Sequence, residues 1–145
     1  MRRFLKAALI TGFLTLAVGN LAMQPQPANS QNQTKRPSQL VRLTPEEKAR
    51  TVNPDATISA SFDLSRGPHP ILLPSVKLII DGVEVTQQAR VAATDDFPPS
   101  RAEISFKPDQ PFSAGKHIAE IRFANDQNRQ SSYTWEFYVP GVTGR

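Results

Sequence analysis

The stretch "VKLIIDGVEV", residues 76–85, decides how this chain folds back on itself. An Asp-Gly pair between two apolar runs is the strongest short signal for a β-hairpin, because a type I′ turn needs positive φ at both central residues. A two-residue loop also fixes the register, so Ile80 is predicted to pair with Val83, and Leu78 with Val85, on one face. Asp81 is therefore interpreted as a turn residue and not as part of an active site.

Other segments of the chain show the same alternation of apolar and polar residues, which indicates half-buried strands. With prolines falling between them, the candidates are "LVRL", "TISASF", "SVKLII", "VEVT" together with "ARVAA", "AEISF", "HIAEIRFA" and "YTWEFYV". By parity, Trp135 shares its face with Phe137 and Val139 and is assigned to the core. About seven strands in roughly 100 residues predict an all-β, immunoglobulin-like antiparallel β-sandwich.

The N-terminal segment predicts export. Three basic residues precede the apolar stretch "AALITGFLTLAV" (7–18), and "ANS" (28–30) supplies the small residues of a cleavage site. We therefore expect a signal peptide over 1–30, a polar tether over 31–39, the sandwich over 40–139 and a loose tail over 140–145. An uncleaved signal segment, serving as a membrane anchor, remains the alternative, so the protein is expected to be secreted or periplasmic.

Composition excludes several function classes. The formal net charge is +4, but removal of the three basic residues before the apolar stretch leaves +1, and no block of like charges remains, so a nucleic-acid partner is not expected. The chain contains no cysteine, which excludes disulfides, thiol catalysis and thiolate metal sites.

The order of the motifs resembles that of bacterial immunoglobulin-like domains of exported, cell-envelope proteins. The resemblance covers residues 53–139 and rests on "SVKLIIDG", then "ISFKPDQPFSAGKH", then a strand and a closing "WEF". It implies a structural or interaction module in which the loop "PDQPFSAG" carries the chain between the two sheets and the Trp packs in the core.

The chain is also similar in size and layout to the periplasmic copper carriers, another family of exported sandwiches. That resemblance implies a copper site formed by a His at the start of the mature chain with further His and Asp. The expected mature chain starts at Gln31 and contains His69 and His117 as its histidines, so a copper site of that type is not expected.

Candidate metal ligands are few. The two histidines could bind Cu(II) or Zn if further ligands joined them, and the acidic loops could bind Ca²⁺ through their oxygen atoms. The candidate ligands are His69, His117, Asp95, Asp96 and Asp126. No nucleophile elbow lies near either histidine, so both are interpreted as solvent-facing residues, and neither a catalytic residue nor a cofactor is expected.

Two apolar loops are candidates for partner binding. "GPHPILLPSV" (67–76) carries Ile71, Leu72 and Leu73 between prolines, and "DDFPPSR" (95–101) presents Phe97. Each loop could form a recognition surface or fold over the open end of the sandwich.

The expected function is a non-catalytic module that binds a protein or a cell-envelope component through loops or sheet edges. The alternatives are a metal-handling module for Ca or Cu and, less favoured, an envelope enzyme. The oligomeric state is left open.

Overall fold

The computed structural model describes residues 35–141. The predicted signal peptide, the tether up to residue 34 and the tail from residue 142 onwards lie outside the described residues. Within 35–141, no helix has the length and hydropathy that crossing a bilayer requires.

Eight strands make up the fold, with two short 3₁₀ turns over Leu73–Ser75 and Thr86–Gln88. The strands are β1 (Leu40–Thr44), β2 (Ile58–Asp63), β3 (Lys77–Ile80), β4 (Val83–Glu84), β5 (Arg90–Ala93), β6 (Arg101–Phe106), β7 (Gly115–Ala124) and β8 (Gln130–Val139).

The strands form two four-stranded sheets, in the orders β1-β2-β6-β5 and β4-β3-β7-β8, and all strand pairs are antiparallel. The chain crosses from one sheet to the other after β2, after β4 and after β6. This is the strand arrangement of the immunoglobulin sandwich with one additional short edge strand. The predicted fold class is confirmed.

The hairpin at residues 76–85 forms as predicted. Asp81 and Gly82 have φ of 49° and 82°, the two positive values that a type I′ turn requires, and Ile80 pairs with Val83. Val83 is nevertheless 63% exposed, and it lies on β4, a two-residue strand at the edge of its sheet.

The segment after this hairpin differs from the sequence-based expectation. "VEVT" and "ARVAA" were counted as one strand, but the 3₁₀ turn at Thr86–Gln88 divides them, and β4 and β5 belong to different sheets. Periodicity could not show this division, because the residues on both sides of the turn have strand-like composition.

The core lies between the two sheets and is formed by the inward-facing residues predicted by parity. Phe62 of one sheet meets Phe123 of the other edge to face, with ring centroids 5.4 Å apart. Trp135 is buried at 3% exposure, which confirms its assignment to the core. Its indole Nε1 is buried and has no hydrogen-bond partner among the described residues.

The segment 48–52 covers part of the outer edge of β8. Ala49 pairs in parallel with Phe137, and the backbone N–H of Lys48 donates to Glu136 (2.7 Å) while that of Val52 donates to Tyr138 (3.0 Å). The sequence did not indicate this pairing, because a short parallel contact leaves no period in the sequence.

Candidate functional site

Most of the candidate site residues lie at one end of the sandwich, which we call the loop end. It consists of the β2–β3 connection (64–76), the β5–β6 loop (94–100) and the β7–β8 turn (125–129). Backbone hydrogen bonds tie the three together: Leu64 N–H donates to Ser100 (2.8 Å), and Asp126 N–H donates to Pro70 (3.0 Å). Antiparallel pairing brings these connections together although they are distant in sequence.

The β2–β3 connection closes the core more than it presents a surface. Ile71 is buried in the core cluster and Leu73 packs against it, whereas Leu72 is 39% exposed. Ser75 fastens this connection to β7, because its hydroxyl accepts a hydrogen bond from the N–H of Ala124 (2.8 Å) and donates to the carbonyl of Leu72 (2.6 Å). Of the three aliphatic candidates for partner binding, Leu72 is the most exposed and Leu73 is half-buried.

Phe97, in contrast, is 99% exposed at the tip of the β5–β6 loop. The loop below it is held by side chains: the hydroxyl of Thr94 accepts the N–H groups of Ser100 (3.0 Å) and Arg101 (3.2 Å), and a carboxylate oxygen of Asp96 also accepts the N–H of Ser100 (2.9 Å). The hydrogen bonds from Thr94 and Ser100 hold the pKa of Asp96 below its usual value. Phe97 is therefore displayed on an ordered support.

An open groove of about 540 Å³ lies beside this loop on the outer face of the first sheet. Its floor crosses three strands, where Ser61 pairs with Glu103 and Glu103 pairs with Ala92. Arg42 and Arg101 are among the residues that line it. The lining therefore has Glu103 at the centre of the sheet face, Ser61 and Ala92 on either side of it and arginines around them.

Two of the five candidate metal ligands, His69 and Asp126, lie close to each other. His69 Nδ1 lies 3.3 Å from a carboxylate oxygen of Asp126 on the surface of the loop end. Asp95 is exposed and Asp96 is engaged by its own loop. Within residues 35–141, no group of three or more His, Asp or Glu side chains could hold one metal ion.

His117 lies at the opposite end of the sandwich and is buried rather than solvent-facing. Its Nδ1 is 2.7 Å from a carboxylate oxygen of Asp81, and its Nε2 is 2.8 Å from the backbone carbonyl of Ser113. Phe137 stacks on the ring at 5.4 Å between centroids. Because both partners are acceptors, both ring nitrogens can donate at once only in the imidazolium, so these contacts favour the charged form.

Two opposing effects set the pKa of His117. Burial disfavours the imidazolium, but the hydrogen bonds to Asp81 and Ser113 and the charge of Asp81 outweigh burial and raise the pKa above its usual value. The sequence predicted that Asp81 is a turn residue. It did not predict that Asp81 also pairs with His117, because the two residues are 36 positions apart in the chain. The arrangement leaves neither nitrogen free to bind a metal, and the Ser113 contact is a carbonyl, so no Ser-His-Asp triad forms here.

No family model and no curated protein matches the chain. Among solved structures, it is similar to CopC from Methylosinus trichosporium OB3b, with 15% identity, a TM-score of 0.47, and coverage of 73% of this chain and 96% of that one. It is also similar to PcoC, a methionine-rich copper resistance protein from Escherichia coli, with 21% identity, a TM-score of 0.44, and coverage of 70% and 96%. The selenomethionine form of PcoC gives 18% identity, a TM-score of 0.42, and coverage of 69% and 97%.

Proposed function

We propose that this chain is an exported, non-catalytic immunoglobulin-like module that binds another protein through the loop that carries Phe97. The observation that carries the proposal is the exposure of that phenylalanine, whose side chain solvent reaches almost completely. Burying a phenylalanine side chain contributes about 1.5–3 kcal/mol, and here none of that free energy is used in folding. It is available for binding.

The support below Phe97 adds to this argument. Binding through a flexible loop costs free energy, because the loop must become ordered as the partner docks. The hydrogen bonds of Thr94 and Asp96 fix the loop already, so Phe97 can enter a pocket of the partner with little further ordering. Interface hot spots are commonly aromatic residues that fill such pockets.

The absence of a catalytic role is part of the same proposal. The buried histidine is committed to a structural ion pair, and the groove beside the loop is lined by arginines, small residues and two acidic residues. The two acids, Asp63 and Glu103, are engaged by Arg66 and Ser61 respectively. Neither is left poised as a general acid or base.

The test compares capture from the envelope fraction of the native host by the wild-type chain, by Phe97→Ala and by Val83→Ala. Val83 is the matched control, since it is an exposed apolar residue on an edge strand of the other sheet. We expect a captured protein that is lost with Phe97→Ala and retained with Val83→Ala. Equal capture by all three chains, with unchanged melting temperatures, would refute the assignment of binding to this loop.

A metal-handling module is the second candidate, and the His69–Asp126 pair is the observation that favours it. An imidazole nitrogen and a carboxylate oxygen 3.3 Å apart on two neighbouring connections could supply two of the ligands of a Cu(II) or Zn ion. Thermal unfolding in the presence of chelator, Ca²⁺, Zn²⁺ or Cu²⁺ tests it, because a ligand at a hundred times its Kd stabilises by about 2.7 kcal/mol. A rise with one cation that disappears in His69→Gln would favour metal handling, and a flat result would exclude it.

A further inference from the structure

The outer edge of β5 is the least protected sheet edge in the described part of the chain. Natural sheets usually protect their edges by bulges, by shortness, by coverage or by charged side chains, and on β5 Arg90 is the one such charge. β1 has a register shift between Leu40 and Arg42, β4 has two residues, and segment 48–52 covers part of β8. β5, over Arg90–Ala93, is regularly paired with β6 on one side and with no strand on the other.

The register shows which groups this edge offers. Thr94 N–H donates to the carbonyl of Arg101 (3.0 Å), so in the alternation of an antiparallel ladder Ala92 also bonds to β6. The N–H and C=O groups of Val91 and Ala93 therefore point away from the sheet. The side chain of Val91 is 48% exposed beside them, which gives an incoming strand both backbone partners and an apolar contact.

The charges on the outer face indicate what kind of strand fits. Arg90 projects onto that face from β5 and Arg101 from β6, and neither forms an ion pair with another described residue. Of the two acids of the face, Asp63 pairs with Arg66 (2.9 Å), whereas Glu103 accepts a hydrogen bond from the neutral hydroxyl of Ser61 (3.0 Å) and keeps its charge. With Arg42 and Arg66 also on this face, the arginines still outnumber the acids. The edge thus has unpaired positive charge directly beside its free backbone groups.

A second copy of this chain is a poor partner for the edge of β5. An edge of four residues is about 13 Å long, so it offers a short pairing surface to any strand, and the charges beside it decide which strand fits. Pairing of two β5 edges would bring a second set of unpaired arginines to the same face. A strand with acidic side chains, in contrast, places the Cβ atom of an acidic residue about 5 Å from that of Arg90 in the cross-strand position, within reach of an ion pair.

We propose that β5 accepts an extended segment of a partner protein as a fifth strand of the first sheet, with acidic residues of that segment facing Arg90 and Arg101 and an apolar residue beside Val91. This inference rests on the proposed function and deepens it by naming the chemistry of the partner. The segment would continue towards the loop of Phe97, because that loop begins directly after Ala93. Backbone pairing supplies affinity and the alternating side chains supply selectivity.

The test uses three labelled seven-residue peptides with the purified chain. One alternates glutamate with valine, and the second alternates lysine with valine. The third is the glutamate peptide with all of its backbone nitrogens methylated, which keeps the charge and removes the N–H donors from both edges of the strand. Fluorescence anisotropy gives the Kd, and amide exchange measured by NMR locates the contact. At low salt we expect the glutamate peptide to bind at least about tenfold more tightly than either of the others and to protect the amides of Val91 and Ala93.

Two charge reversals complete the test. Arg90→Glu should reverse the preference between the glutamate and lysine peptides, whereas Arg50→Glu, the same charge change beside β8 in the other sheet, should leave it intact. Equal binding of the methylated glutamate peptide would overturn the inference, because attraction would then not involve strand pairing. The inference would also be overturned if the amides of residues 130–134 in β8 were protected from exchange in place of those in β5, or if no peptide bound.

The two proposals can fail separately. Capture that depends on Phe97, combined with no binding of the glutamate peptide, would leave the proposed function and remove the fifth strand. Strand pairing at β5 with capture that does not depend on Phe97 would keep the edge as a binding site and remove the loop from it.

Discussion

The ion pair between His117 and Asp81 predicts the direction in which stability changes with pH. The change we consider is Asp81→Asn, made in a His69→Gln background so that one imidazole remains in the chain. Asparagine tolerates the φ of 49° at this position. Its amide oxygen can still accept the N–H of Ile118, which Asp81 now accepts at 2.8 Å. The substitution therefore removes the charge facing His117 and leaves the turn.

The expected loss follows from the strength and exposure of the pair. A hydrogen bond to a charged group contributes about 1.5–3 kcal/mol, but the side chain of Asp81 is 45% exposed, and solvent screens it. We therefore expect Asp81→Asn to lower the free energy of unfolding by about 1–2 kcal/mol at pH 6.

The pH dependence has opposite signs in the two proteins. The folded pKa of His117 is raised, so the pair contributes fully below the unfolded value of about 6.5 and its contribution is lost as pH rises through the folded pKa. In Asp81→Asn the burial of His117 remains without the carboxylate, so the folded pKa falls below the unfolded one. The stability of the variant should then increase with pH over the same range, where His is the side chain that ordinarily changes charge.

Urea unfolding at intervals from pH 5.5 to pH 8.5, with NMR titration of the remaining imidazole, measures both quantities. The two free-energy curves should converge as pH rises. Parallel curves, or an imidazole that titrates at the same pH in both proteins, would refute the reasoning, because either result means that Asp81 does not stabilise the charged form of His117.

Three further predictions concern the fold. Trp135→Ala should lower the free energy of unfolding in urea by about 3–5 kcal/mol, as large-to-small core changes do. Trp135→Phe should cost much less, because the indole N–H has no hydrogen bond to lose. Near-wild-type stability of the alanine variant would contradict the core assignment. Gly82→Ala should cost about 1–2 kcal/mol from its φ of 82° alone, since a Cβ there meets no atom within 4 Å, while Gly141→Ala should be neutral. Ser75→Ala should cost about 1–3 kcal/mol by leaving the N–H of Ala124 without its acceptor, and unchanged amide exchange at Ala124 would contradict that.

Local sequence signals predicted the parts of the fold that depend on neighbouring residues. The Asp-Gly turn was predicted correctly, because positive φ at two successive positions is a property of those residues themselves. Burial of alternate residues in β7 and β8 was also predicted correctly, because parity alone places Ile121 and Trp135 on the inner face. The division of β4 from β5 was missed, since a 3₁₀ turn of three polar residues resembles an ordinary strand irregularity.

The sequence identified the residues of the candidate sites but not the tertiary contacts that those residues make. The sequence identified Ile71, Leu72, Leu73 and Phe97 as apolar residues on loops, and it could not tell which of them the β7–β8 turn would cover. It identified His69 and Asp126 separately, and their approach depends on two connections at the same end of the sandwich.

By itself, the sequence determined the all-β class, the hairpin register at residues 80–83 and the composition of the core, because these follow from backbone preferences and from the two-residue period of a strand. The tertiary structure alone decided that Asp81 meets His117, that Phe97 is left uncovered and that β5 has a free edge. Each of these depends on which distant segments pack together, and the free energy of that packing comes from the whole core and not from the residues that happen to meet.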